Sequence, residues 1–443
     1  MIIPRRGTSC LTEECVGFRA HLSRNQSKIG TDSLMRNCPV CHGEQGEILH
    51  SQRLVVMDDY PLPPSFDVVQ CSACGMVFNR NSATQKDYDS FYERFSVHQN
   101  PAESADGDIP VWEVTRLQNL TEITANSAPS KGSRILDVGC SSGGLLKNLV
   151  FRGFSNVVGV DPSPVCVAHV RAKGIEAYQG GAGDLPENIG TFDLITLTGV
   201  LEHIEDVHAT IASLVRLCSP AGRILVEVPD AIRYADFLHS PFQDFNTEHI
   251  NHFSIESLCN LMRQFGMERF REDRIEISGP SGLQLPCLLA GFERVQEQPM
   301  NGPWMINKSF RHSMQRYVNG SREIMERLNQ QVLHVLTTSP EVLVWGTGQL
   351  AMKMLSDTAL RDAKIIAFVD ANPIHSGRSI MGRPILLPQK IPQGDWPIIV
   401  TSLLHADGIL RVIRNLDLAN PVFVLQAQQQ RGSSLQPIVR QTP

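Results

Sequence analysis

Three things are scarce in this chain of 443 residues. Positive charge is not in excess: 40 Lys and Arg against 46 Asp and Glu leave a formal net charge of −6. That removes the basic footprint expected of a nucleic-acid binder. Long apolar runs are missing too, since no stretch approaches the ~20 residues of a membrane-spanning helix. The opening "MIIPRRGTSC" lacks the apolar segment of a secretory signal. The expectation is therefore a cytoplasmic chain with neither nucleic acid nor membrane as partner. In that compartment thiols stay reduced, so the 11 cysteines read as metal ligands and free thiols rather than disulfides. Hydrophobic content of 42% and charge of 19% are those of an ordinary globular protein. The length allows about three domains at ~150 residues each.

The chain divides as follows. Residues 1–35 are polar and without sustained periodicity, an extension of low order in which Cys10 and Cys15 are plain thiols. Residues 36–95 carry two CxxC pairs. The acidic connector "HQNPAESADGDIP" leads into strands alternating with helices over 96–275. A connecting segment, 276–338, contains "SFRHSMQRYVNGSREIMERLNQQVLHVL" (309–336), which reads as a helix with interruptions. A second strand–glycine turn–helix unit occupies 339–427, and the polar stretch 428–443 reads as a disordered tail. The fold class is α/β.

Cys38 and Cys41 form one CxxC, Cys71 and Cys74 the other, with 29 residues between the pairs. Each pair makes a tight knuckle that presents two sulfurs to one ion, and four thiolates close a tetrahedral zinc site. The gap exceeds the 15–20 residues of the common pattern, but a strand pair can fill it. With all four positions taken by sulfur no place remains for water, so the metal is structural.

"SRILDVGCSSGGLLKNLV" joins a β-branched, apolar strand to a helix through a turn that only small residues allow. The glycines let the backbone approach a ligand, and the helix start offers free N–H groups. The spacing is Asp137-x-Gly139-x-x-x-Gly143, not GxGxxG. It resembles motif I of class I S-adenosylmethionine (SAM) methyltransferases. The resemblance implies SAM as cofactor, held around Asp137, Gly139, Cys140, Ser141 and Gly143, with Cys140 a small residue that fits. "SNVVGVD" ends in Asp161, followed by Pro162, where a carboxylate can take both ribose hydroxyls. Asp184 is the acid available near the adenine, and "FDLITLTGVLEHIED" places Glu202 and His203 at a fourth strand end, with Glu202 counted, like Pro162 and Asp184, among the cofactor-binding residues. A dinucleotide enzyme is the alternative, against which the glycine spacing and "LEHIED" argue.

The order of segments over about 36–427 resembles the sugar C-methyltransferases of deoxysugar pathways. These have a four-cysteine zinc module, a central Rossmann-like SAM domain and a Rossmann-like C-terminal domain. "CPVC…YPLPPSF…CSACGMVF", "LEHIEDV", "NTEHINHFS" and "FVDANPIHSGRSIMGRPILLP" carry the likeness. It implies methylation of a carbon beside a ketone on a nucleotide-linked sugar, with His203, Glu248 and His249 in the active site. Asn246 and Thr247 depart from the family's Tyr and His, and His252 from an aromatic residue. The C-terminal turn "GTGQLAMKM" departs as well, and either binds the nucleotide end or is a plain structural lobe.

The chemistry follows from the acceptor. A C–H beside a ketone needs a base and a donor for the enolate oxygen. His249 is read as the base. Glu248 is its carboxylate partner or a ligand for sugar hydroxyls, and His203 is the enolate donor or second base. His252 is structural or a substrate contact. Ser254 reads as an N-cap, which puts the histidines before the helix and disfavours a metal held by His249 and His252. O- or N-methylation of another small metabolite, and a non-catalytic SAM-binding scaffold, stand as alternatives.

Overall fold

The computed structural model describes residues 35–95 and 111–428, apart from 182, 280–281, 296–301 and 393. The extension and most of the polar tail, with the readings made of them and of Cys10 and Cys15, lie outside the described residues. Among the described residues no helix is long and apolar enough to cross a membrane.

The cysteine region builds a small antiparallel sheet. Strands β1 (Gly46–Arg53), β2 (Ser65–Cys71) and β3 (Val77–Arg80) follow one another, and helix α1 (Gln85–Phe95) closes the segment. The β1–β2 pair fills the long gap between the two knuckles.

The central layer starts with α2 (Val111–Ser127), β4 (Ile135–Val138), α3 (Gly144–Phe151) and β5 (Val157–Asp161). It continues through α4 (Pro164–Ala172), β6 (Glu176–Gln179), β7 (Phe192–Thr198), α5 (Val207–Leu217) and β8 (Cys218–Pro229). Every residue of β4 and β5 is buried, as expected of parallel strands covered on both faces. The two-residue strand β9 (Asn251–His252) then precedes α6 (Ile255–Met262). Ser254 caps α6 as expected, in a reciprocal box with Ser257. The hairpin β10 (Met267–Ser278) and β11 (Gln284–Arg294) completes a seven-stranded sheet of order β10-β11-β8-β7-β4-β5-β6. The sheet thus runs past residue 275, into the segment read as a connector. The charged, alternating face of β10 protects its edge.

Helix α7 (Phe310–Thr338) is continuous, which corrects the expectation of interruptions. Gly320 and Ser321 lie inside it for packing reasons. A Cβ at Gly320 would come within 2.9 Å of Leu238, and the Ser321 hydroxyl accepts from the Phe242 amide at 3.0 Å. Beyond it come β12 (Glu341–Trp345), α8 (Gln349–Asp357), β13 (Lys364–Val369), β14 (Ser379–Ile380), β15 (Arg383–Leu386), β16 (Ile398–Val400), α9 (Ala406–Asn415) and β17 (Val422–Val424). Their six-stranded sheet has the order β14-β15-β13-β12-β16-β17. The connection between β1 and β2 meets this second sheet, through Val55 N to Met352 O (2.9 Å) and Asp58 N to Ser379 O (2.9 Å).

Ser321→Ala leaves a buried amide at Phe242 without its acceptor. Urea denaturation is expected to show a loss of about 1–3 kcal/mol, with helix content by circular dichroism unchanged.

Candidate active site

The first glycine turn lies at the carboxyl end of β4, where strand order reverses between β5 and β7. Gly139 and Gly143 hold φ of 72° and 76°, and Ser141 also has positive φ at 48°. A Cβ on Gly139 would approach Val200 to 2.5 Å, and one on Gly143 would approach Val170 to 2.8 Å. Only glycine keeps this cradle open. Cys140 is buried against Gly159, where a Cβ would sit 2.7 Å from its Sγ, so it fills space as read. Burial pushes its thiol up. Asp161 ends β5, and its carboxylate accepts from the amides of Ser141 (2.8 Å) and Ser163 (2.9 Å). It therefore closes the turn at the same point where it could meet a ribose. Pro162 lies between Asp161 and the N-cap Ser163. Asp137 is buried and accepts from Thr196 Oγ1 at 2.7 Å. Burial raises its carboxyl to about 7. Asp184 is exposed and accepts from the Gly181 amide at 2.8 Å.

At the end of β7 a short 3₁₀ turn, Leu201–His203, carries Glu202 and His203. The loop 246–252 folds against it. Ile250 N donates to Glu202 O (2.9 Å), and Asn251 Nδ2 donates to the carbonyls of Leu201 (2.9 Å) and Ile204 (2.7 Å). The imidazoles of His203 and His249 face each other edge to face, 4.7 Å between centroids. His203 Nδ1 lies 3.1 Å from the Glu248 carbonyl. A carbonyl only accepts, so the proton is assigned to Nδ1 and Nε2 is bare. Nε2 stands 3.9 Å from Glu202 Oε1.

One of the two roles read for Glu248, carboxylate partner of His249, has no hydrogen bond behind it, and for His252 the structural alternative is the one its contacts fit. Among the described residues no hydrogen bond joins the Glu248 carboxylate to His249. The backbone of Glu248, not its side chain, fixes a tautomer, and the imidazole it fixes is His203. His252 is fully buried, donates from Nε2 to Asn79 Oδ1 (3.1 Å), and faces the Tyr234 hydroxyl at 3.4 Å. It is a structural residue.

Burial sets the electrostatics. It lowers His249 to about 4, helped by His252, and raises Glu202 to about 8 and Glu248 to about 7. At neutral pH His249 is an uncharged imidazole, and Glu202 keeps much of its proton. Glu202 Oε2 and His249 Nδ1 are buried without a hydrogen-bond partner. Such atoms are uncommon in folded proteins and call for a water, an ion or a ligand as partner. Nearby, Arg116 of α2 pairs with the buried Glu227 of β8 at 2.7 Å.

The four cysteine sulfurs lie within 4.8 Å of one another, with Cys38–Cys74 at 3.5 Å and Cys41–Cys71 at 3.4 Å. A zinc tetrahedron with bonds of about 2.3 Å has edges of about 3.8 Å, so the set fits one ion. Each knuckle is turned by a residue of positive φ, His42 at 59° and Gly75 at 76°. A Cβ on Gly43 would press on Cys41 Sγ at 3.3 Å.

This module also holds the loop that carries His249, a role that sequence reasoning missed. β3 pairs antiparallel with β9, Val77 opposite His252 and Phe78 opposite Asn251. Asn79, fully buried, donates to the carbonyls of Asn246 (3.0 Å) and His249 (3.1 Å). Arg36 reaches Glu205 O (2.6 Å) and Asn251 Oδ1 (2.8 Å). Tyr60 meets Thr247 Oγ1 at 2.8 Å, and the Tyr92 ring lies 6.4 Å from His203. From the far side Gln349 donates to Phe242 O (2.7 Å) and Phe245 O (3.0 Å). The one sequence signal was an Asn amid the β-strand residues of "VFNR".

Residues 112–269 match the family described as "Methyltransferase domain". A ubiquinone biosynthesis O-methyltransferase of Rhizobium johnstonii is 33% identical over 202 residues, covering 43% of this chain and 74% of that one. The chain belongs to the SAM-dependent methyltransferases. A ubiquinone biosynthesis O-methyltransferase of Xanthomonas oryzae pv. oryzae is 30% identical over 157 residues, 33% of this chain and 65% of that one. The methyltransferase is also similar to the SAH-bound magnesium protoporphyrin IX methyltransferase of Synechocystis. That likeness covers 48% of this chain and all of the other, at 15% identity and a TM-score of 0.39. The matched span leaves the cysteine module and the second sheet of this methyltransferase outside it.

Asn79→Ala frees the loop that carries His249 without touching the glycine turn. Methyl transfer is expected to fall about 10- to 100-fold while SAM affinity by calorimetry stays within about twofold. Equal losses in both would show general unfolding instead.

Proposed function

We propose that this methyltransferase adds a methyl group to a carbon beside a ketone, most simply on a nucleotide-linked sugar. The observation that carries the reading is the facing pair His203 and His249, set beside Glu202 at the sheet edge where the glycine turn ends. Gly139, Ser141 and Gly143 cradle SAM, with Asp137 beneath them and Asp161 toward the ribose. Bound SAM supplies an electrophilic methyl on a sulfonium. The chain's own residues must then raise a nucleophile and orient it.

His249 suits the base. Desolvation keeps it neutral at cellular pH, and its buried Nδ1 has no competing partner. It takes the proton that leaves the carbon. The growing charge on the carbonyl oxygen needs a donor. His203 was the expected donor, but its Nε2 is bare. Glu202, held partly protonated by burial, is the better one, and His203 is left to orient the acceptor. The departures Asn246 and Thr247 serve the loop: Asn246 Oδ1 accepts from the amides of Glu248 (2.8 Å) and His249 (2.6 Å). The nucleotide would lie toward the second α/β unit, whose Gln349 grips the same loop. Cys38, Cys41, Cys71 and Cys74 hold a structural zinc.

O-methylation is the second reading, favoured by the names of the relatives. It needs one base and no enolate donor.

The test is proton exchange. A nucleotide-linked ketosugar in heavy water, without SAM, is expected to gain deuterium beside its ketone, and His249→Ala to abolish this. Because His249 titrates near 4 rather than 6.5, exchange should persist at pH 5, where an ordinary histidine is mostly protonated. No exchange, together with label from SAM appearing on a hydroxyl, would replace the reading by O-methylation. For the metal, elemental analysis should find one zinc per chain and none in Cys74→Ser.

A further inference from the structure

Glu202, His203 and His249 offer one carboxylate and two imidazoles whose donor atoms all lie within 4.8 Å of one another. They come from two separate chain segments, the turn after β7 and the loop before β9. Ile250 N to Glu202 O and the two bonds from the Asn251 amide stitch the segments together. For one of the two imidazoles, that of His203, the outer-layer hydrogen bond usual for metal-bound histidines is present. His203 Nδ1 donates to the Glu248 carbonyl, which turns Nε2 toward Glu202 Oε1, 3.9 Å away. The His249 backbone is pinned at both ends, by Asn246 Oδ1 and by Asn79 Nδ2. A second observation points to a ligand rather than to packing. Glu202, only 3% exposed, keeps Oε2 without any partner, and so does His249 at Nδ1. His203, about a quarter exposed at its side chain, leaves a path from solvent.

We infer that Glu202, His203 and His249 form a binding site for one divalent transition-metal cation, separate from the four-cysteine cluster. Two imidazoles and one carboxylate on one side of an ion leave the other side open. That donor set suits Mn²⁺, Fe²⁺ or Co²⁺, with imidazole and oxygen ligands and no sulfur. The open positions fit an acceptor that presents two adjacent oxygens, such as a hydroxyketone or its enediol. The inference rests on the reading of this edge as the acceptor site, and it narrows the acceptor to a chelating one. As ligands Glu202 and His249 would no longer act as donor and free base, so a bound cation would stabilise the acceptor oxygen in place of Glu202 and the two arrangements are alternatives for the same atoms.

The test uses the full chain with zinc already in the cysteine cluster. MnCl₂ is titrated in, and the loss of the free Mn²⁺ resonance signal is recorded. One Mn²⁺ per chain is expected, bound at least about tenfold more weakly in Glu202→Gln and in His249→Ala, the loss of one ligand being worth that much or more. Glu202→Gln keeps the side-chain shape, so it stays informative if the histidine variant fails to fold. SAM calorimetry on each variant confirms an intact glycine turn. No Mn²⁺ bound by the unaltered chain, or equal binding in both variants, overturns the cation site. In that case methyl transfer measured with chelator present would still stand. Loss of SAM binding by the unaltered chain would instead strike the methyltransferase reading and leave the Mn²⁺ titration untouched.

Discussion

The site depends on one short pairing. Two residues of β9 hydrogen-bond to β3, and Asn79, the next residue of β3, turns its amide across the loop behind them. The loop between Asn246 and Ile250 has no helix or long strand of its own. Its carbonyls would otherwise be buried and unpaired, a cost comparable to a lost hydrogen bond for each. Asn79 satisfies two of them and, through its oxygen, orients His252 as well. The cysteine knuckle at Cys71 and Cys74 directly precedes β3, so the fixed point of the small sheet is only a few residues from the loop it holds. The cysteine module is therefore part of the wall around the loop that carries His249.

The second constraint is dryness. Glu202, Glu248 and His249 are ionisable groups placed where charge is costly, and each shifts toward its neutral form. Under the proposed reading, a neutral base beside a neutral acid is the combination that an enolisation needs. Arg116 and Glu227 satisfy each other through a salt bridge of 2.7 Å. One sheet edge thus hosts a compensated ion pair and, a few ångströms away, groups whose partners must arrive from outside.

Much of this was legible in the sequence. The glycine turn, Asp161, the strand ends carrying Glu202 and His203, the four cysteines and the Ser254 cap are local features, set by spacing and residue type. They fall where their pattern puts them. What was not legible is long-range. Nothing near Asn79 indicates a partner 170 residues away, and Arg36 reaches further still, to a partner at 251. The Glu248 side chain was given a role that its backbone fills, because a motif shows residue order and not which atom points inward. The segment 309–336 was read as an interrupted helix, and the packing partners of its Gly320 and Ser321, at Leu238 and Phe242, lie in another segment. The extent of the central sheet was underestimated for a related reason. β11 reads as a free apolar run until β8 and β10 are seen on either side of it.

Helix α7 links distant parts of the fold. Near its start Tyr317 and Ser321 hold the amides of Asp244 and Phe242 beside the site. Further along, Arg327 and Gln331 hold the backbone of Ala427 and Gln426, after the last strand of the second sheet. At 3.6 residues per turn, adding or removing one residue between these pairs would rotate one set by about 100° relative to the other. The rod is thus phase-locked. It can absorb changes of side chain along its outer face, but its length is fixed to the residue, because both ends must keep time with the same turn.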